Sequence, residues 1–309
     1  MLIRQGAFTD GGRLLKGALH THTTRSDGAC TPEELLAAFE AKGYDFVALT
    51  DHRKYNREQF GSHLTVLPGM EIDVCFEGTR GNGRHVFHTV CLGPADGGDF
   101  RQDENFPSFD IRTPEAYQPM LDEMHRRGCL TIYCHPEWSH TPVHEYAGLK
   151  GNFAMELFNT GCAIENEMDT DNGVEWEYAI DSGNRMYGVA VDDCHCIEHV
   201  GHGFVRVNAA NKAKAILDAL AEGRFYASCG PEIRDFYVED GEAVLVCDAA
   251  DSIAFSCNGM PKHVTYAGEG EGLKTARMPL PHYAAYVRAV VIRNGKRAWT
   301  NPIWLKECR

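Results

Sequence analysis

The sequence predicts an α/β fold, a parallel sheet open or closed into a barrel, followed by a small all-β sandwich. Three observations carry this. Short apolar runs alternate with amphipathic helical stretches from Lys16 to about Gly223, as strand–helix–strand units do. Near Gly230-Pro231 the alternation gives way to strand-like segments with no long amphipathic helix between them. Of 15 histidines, only His263 and His282 lie beyond residue 202, so the imidazole chemistry belongs to the first two thirds.

Taken in order, "GALHTH" reads as a strand ending in His20 and His22. "TPEELLAAFEAKG" reads as a helix with Thr31 as N-cap, Pro32 in the first position, Glu34 completing a capping box and Gly43 as the stop. "FVALTDH" is the next strand. "LTVLPGMEIDV" and "HTVCLG" are strands, and the stretch from about Asp96 to Arg112 reads as a long surface loop. "PEAYQPMLDEMHRRG" is a helix ending at Gly128, "CLTIYCHP" and "FAMELFN" are strands, "GVEWEYAIDSGN" is a helix and "MYGVAVDDCH" a strand. "FVRVNA" and the helix "NKAKAILDALAEG" close the series. Beyond residue 228, "DFYVED", "AVLVCD", "IAFSCN" and "YVRAVVIRNGKRAWTNPIWL" read as strands, with Asn294-Gly295 as a hairpin turn. The expected division is 1–228 and 229–309.

Length and composition set outer limits. The 309 residues allow two domains or one large barrel with an appendage. No apolar run is long enough to span a bilayer, and the first residues lack a signal-peptide core, so the expectation is a cytoplasmic protein with no membrane partner. Twelve cysteines without C-x-x-C spacing predict reduced, mostly buried thiols. A net charge of -14 without a Lys/Arg cluster argues against a standing nucleic-acid partner. A small phosphorylated substrate stays compatible, because bound metal charge overrides the global field locally.

Side chains on a strand alternate, so His20 and His22 share a face, as do Asp193 and His195. Both pairs fall at C-terminal strand ends, where parallel barrels collect their active-site residues. His52, Glu71, His88 and His135 also fall at or near strand ends. Imidazole with carboxylate and no thiolate suits Zn, Mn or Fe. Asp51 and Asp192 adjoin stronger candidates and face away from them, which suggests supporting roles.

These motifs resemble the polymerase and histidinol phosphatase (PHP) family of metal-dependent phosphoesterases. The match rests on H-x-H (His20, His22), S-D-G (Asp27), T-D-H (His52), G-x-E (Glu71), a strand-opening His88, H-P (His135) and D-x-H (Asp193, His195), in the family's order. The resemblance implies a distorted (β/α)7 TIM-like barrel with up to three divalent ions. His20, His22, Glu71 and Asp193 would hold the first. Glu71 would bridge to a second with His88 and His135, for which His85 is an alternative. Asp27, His52 and His195 would hold a third. "GRFYASCGPEI" and the strands after it are similar to PHP proteins with a small C-terminal β-sandwich.

The resemblance implies a phosphoric ester hydrolase, a phosphatase or phosphodiesterase, acting on a small phosphorylated metabolite or nucleotide. Metal-activated hydroxide would be the nucleophile, with no side-chain nucleophile needed. Arg53, Lys54 and His140 are candidate substrate contacts. The rivals are a metal-dependent amidohydrolase, a nuclease and a non-catalytic metal- or ligand-binding protein. "IYCHP" and "VDDCH" fit the first less well, and the full ligand set argues against the last.

Overall fold

A computed structural model of the chain describes residues 1–77, 84–106, 111–168 and 171–305; of the long connection expected after Asp96, residues 107–110 lie outside these. The architecture is mixed α/β, as the alternation of elements predicts. The helix Pro32–Ala41 is capped by Thr31, whose hydroxyl accepts from the Glu34 N–H while the Glu34 carboxylate accepts from the Thr31 N–H. The pair satisfies donors that the first turn leaves free, and the helix buries Leu35, Leu36 and Phe39. Gln118–Arg126 buries Met120, Leu121 and Met124, and Ala213–Ala221 buries Ile216, Leu217 and Leu220.

The strands of the first two thirds form two arcs. In one, Leu15–Ala18, Phe46–Ala48 and Thr65–Leu67 pair in parallel, and Phe204–Val207 lies antiparallel beside Leu15–Ala18. In the other, the order is Gly69–Glu77, Arg84–Leu92, Leu130–Tyr133, Asn152–Asn159, Tyr187–Val191. Isolated parallel bridges, His52 to Glu71 and Thr21 to Cys194, join the arcs. Leu15, Phe46 and Leu67 of one arc share a buried cluster with Val90, Ile132 and Val189 of the other. Most of the candidate ligands lie in loops beyond these strands, while Glu71 and His88 lie within theirs.

Two expectations are corrected. The sheet is mixed rather than parallel: Gly69–Glu77 and Arg84–Leu92 pair antiparallel, and Arg84–Leu92 is antiparallel to Leu130–Tyr133. Only six residues, 78–83, separate the first two, too few for the crossover that parallel pairing needs. Reversing that strand brings its N-terminal half to the same rim, which is why His88 serves although it precedes its apolar run. The single strand expected for "LTVLPGMEIDV" is also two, Thr65–Leu67 and Gly69–Glu77, in different sheets. Pro68 between them has no N–H to give to a ladder.

Beyond residue 228 the strands are antiparallel. Ile233–Glu239, Glu242–Ala250 and Leu273–Pro279 form one sheet with Ile3–Arg4 at its edge. Met260–Tyr266, Ser252–Cys257, Tyr286–Arg293 and Lys296–Thr300 continue the large sheet through Phe225–Ser228. Phe236 and Leu245 of the first share a buried cluster with Phe255, Val287 and Val291 of the second. Asn294 and Gly295, both at positive φ, make the expected hairpin turn. Met260–Tyr266 and Leu273–Pro279 were not legible as strands, because their side chains are mostly exposed and give no apolar alternation.

Candidate metal centre

The loop after Leu15–Ala18 carries His20 and His22 into the interior, where both are buried. Their Nε2 atoms lie 3.1 Å apart and each is 3.3 Å from Glu71 Oε2. Asp193 Oδ1 stands 3.3 Å from His20 Nε2 and 3.1 Å from His22 Nε2. The other Glu71 oxygen, Oε1, faces His88 Nδ1 at 2.9 Å and His135 Nε2 at 3.7 Å. Asp27 Oδ2 faces His52 Nε2 at 3.4 Å and His195 Nε2 at 3.6 Å. All nine expected ligand residues therefore converge, with Glu71 between the first two groups.

The backbone does not deliver them as simple strand alternation suggests. Asp193 takes a left-handed conformation, φ +46°, just past the strand Tyr187–Val191. That bend turns its carboxylate to the first group and leaves His195 to reach Asp27.

Supporting residues fix the ligands. Buried Asp51 accepts from the Thr23 N–H at 2.8 Å and from the Ser26 N–H and hydroxyl at 3.1 and 2.8 Å, which shapes the loop presenting Asp27. Arg25 pins the same loop outward through Asn56 and Glu58. Asp192 accepts from the N–H groups of Gly201, His202 and Gly203 and from the Thr160 hydroxyl, a structural role as expected. Glu156, which the sequence reading missed, is fully buried and accepts from His20 Nδ1 at 2.7 Å, the His135 N–H at 2.8 Å and Asn159 Nδ2 at 2.9 Å. A lone carboxylate inside the apolar run "FAMELFN" was its signal. Asp73, likewise missed, lies 3.5 Å from His52 Nδ1.

Three contacts orient imidazoles. Glu156 holds a proton on His20 Nδ1, and the Asp193 carbonyl accepts from His195 Nδ1 at 2.9 Å. Ser139 Oγ meets His135 Nδ1 at 3.1 Å. In each ring Nε2 is then the atom presented to the cluster. Burial works to lower the pKa of His52, but the neighbouring Asp27, Asp73 and Glu71 carboxylates outweigh it and raise it to about 11. The same contest at His195, with Asp27 and Asp193 against burial, raises it to about 9. The His195 and His52 imidazoles beside it hold Asp27 well below the usual carboxylate range. Burial works to raise Glu71, yet the charges of His20 and His88 bring it well below its ordinary value.

Not every candidate joins the centre. His85 turns the other way, its Nδ1 2.6 Å from Glu145. Arg53 is turned onto Asp73, with Nε 2.8 Å from Oδ1, and Lys54 onto the Arg25 carbonyl. His140 is exposed and is not among the clustered ligand atoms.

A 32% identical stretch is found in the DNA polymerase/3'-5' exonuclease PolX of Bacillus subtilis (strain 168), over 21% of this chain and 15% of that protein. The matched stretch thus spans a small part of that relative's length. Among solved structures, a two-domain protein from Bacteroides vulgatus containing a predicted PHP-like metal-dependent phosphoesterase is similar with a TM-score of 0.47 and 13% identity. It covers 97% of this chain and 89% of that one. An amidohydrolase from Chromobacterium violaceum gives 0.41 and 15% identity, over 68% and 96%. Residues 18–147 match the family model described as PHP domain, and they hold every residue of the centre except Asp193 and His195. Within residues 18–147, then, the chain is similar to a PHP domain.

Proposed function

We propose that the chain is a metal-dependent hydrolase of phosphoester bonds in a small phosphorylated metabolite or nucleotide, with up to three divalent ions (Zn, Mn or Fe) at the cluster. Residues 1–228 are read as a distorted barrel of the two arcs, except that Ile3–Arg4 joins 229–309, which are read as an antiparallel sandwich. One observation carries the site reading. Glu71 Oε1, Asp193 Oδ1 and His52 Nδ1 are buried without a hydrogen-bond partner, although His88 Nδ1 lies 2.9 Å from the first. Buried polar atoms left so are costly. Their convergence with imidazole Nε2 atoms fits cations.

His20, His22, Glu71 and Asp193 would hold one ion, Glu71, His88 and His135 a second, and Asp27, His52 and His195 a third. Ions bound there supply Lewis-acid polarisation of a phosphoryl oxygen and acidify a water. The chain's own part is to present ligand atoms at fixed tautomers through Glu156, Ser139 and the Asp193 carbonyl, and to hold Asp27 through Asp51. With only Asp27, Glu71 and Asp193 as anions in the nine, the loaded centre stays cationic and favours phosphate.

Protein reconstituted with Mn or Zn should hydrolyse aryl phosphates in a panel that also holds amides and lactones. Turnover of amides alone would overturn the reading in favour of an amidohydrolase. His22→Ala and Asp193→Ala should lower bound metal and activity together; full metal content in both would contradict the ligand assignment.

A further inference from the structure

One large apolar side chain at the centre has no part in the reading above. The turn after His135 closes with the Ser139 N–H donating to the His135 carbonyl at 3.1 Å. It folds Trp138 back over the candidate ligands. The indole centroid lies 4.8 Å from the His135 ring, nearly perpendicular to it, and 5.8 Å from the His88 ring. Yet Trp138 remains 37% exposed, while Trp176 and Trp299 are buried. Isolated apolar residues are ordinary on a surface, but this one touches two residues of the Glu71–His88–His135 group. The turn that orients His135 also fixes its position.

The cations expected to meet substrate are engaged elsewhere, Arg53 with Asp73 and Lys54 with the Arg25 carbonyl. We propose that Trp138 is a specificity-determining platform, whose partly exposed indole stacks a planar aromatic group carried by the phosphoester. The preferred substrates are then aryl or nucleobase-bearing phosphates rather than alkyl or sugar phosphates. An indole offers a large rigid face and stacks on planar rings of any sequence or substitution. This rests on the phosphoester reading.

The test is calorimetric titration of phenylphosphonate and methylphosphonate, which are not hydrolysed, into manganese-loaded protein. Phenylphosphonate should bind about tenfold more tightly than methylphosphonate. Trp138→Ala should remove that preference and leave methylphosphonate affinity in place, and Trp138→Phe should restore most of it. Manganese content measured on each variant separates loss of the platform from loss of the ion. Equal affinity of the two ligands for the wild-type protein, or a preference unchanged in Trp138→Ala, overturns the platform while the phosphoester reading stands. Binding of neither ligand to protein with full manganese content overturns both.

Discussion

Glu156→Gln changes one oxygen to an amide nitrogen and leaves the shape of a fully buried side chain almost intact. In the native protein Oε1 accepts from His20 Nδ1 at 2.7 Å, and Oε2 accepts from the His135 N–H at 2.8 Å and Asn159 Nδ2 at 2.9 Å. Glutamine has a single acceptor oxygen, and three donors converge from two sides. With that oxygen toward His20, the amide nitrogen confronts two N–H donors. With it toward His135, the amide faces His20 Nδ1 and drives the proton to Nε2, the atom 3.3 Å from Glu71 and Asp193. Either arrangement leaves at least one buried group unsatisfied, a cost of about 1–3 kcal/mol. Supporting partners of metal-binding histidines are worth roughly 10–100-fold in affinity. Chelator competition should therefore show the tightest ion held roughly 10–100-fold more weakly in Glu156→Gln, with circular dichroism unchanged. Equal affinity in mutant and wild type would refute the argument that Glu156 sets the His20 tautomer.

Three further outcomes follow from the same geometry. His52 and His195, with pKa values raised to about 11 and about 9, carry protons at neutral pH in the metal-free protein. Their folded values exceed the ordinary 6.5, so the stability they add is complete below that pH and is lost as pH rises through about 9 and then about 11. Metal loading at pH 7 must displace these protons; calorimetry in two buffers of different ionisation enthalpy should show proton release, and zero release would count against the assignment. Asp51→Asn replaces an acceptor that four donors on the Thr23–Ser26 turn share, and should cost about 1–3 kcal/mol in denaturant unfolding. It should also weaken the ion held with Asp27, and a metal stoichiometry equal to wild type at limiting metal would contradict this. Phe236→Ala empties a fully buried position between the two C-terminal sheets. It should destabilise by about 3–5 kcal/mol while metal content at saturation stays unchanged.

The clustered residues were legible because metal chemistry restricts residue types. His20 and His22 repeat at strand spacing, and His52, Glu71, His88, His135, Asp193 and His195 recur near strand ends, a pattern that burial or solvation alone would not produce, whereas Asp27 was added by the resemblance to the PHP family. Helix boundaries were legible for a similar reason, since the Thr31–Glu34 box is a local hydrogen-bond pattern written in adjacent residues. Strand direction was not. Whether Arg84–Leu92 runs with or against its neighbours depends on what lies across the sheet, and apolar runs look alike in both directions.

The sequence by itself determined which atoms are available to hold cations, and that they lie along one rim, because both follow from residue type and period. Only the tertiary structure decided how they are held. Glu156 meets His20 across 136 positions, and Asp51 meets Ser26 across 25. Ser26, mute in the sequence, spends its hydroxyl on Asp51, and Arg25 closes on Asn56 and Glu58. Tautomers, loop shape and the partial exposure of Trp138 depend on which groups meet after the chain has closed. Hydrogen bonds are directional and short, so residue order alone does not specify them.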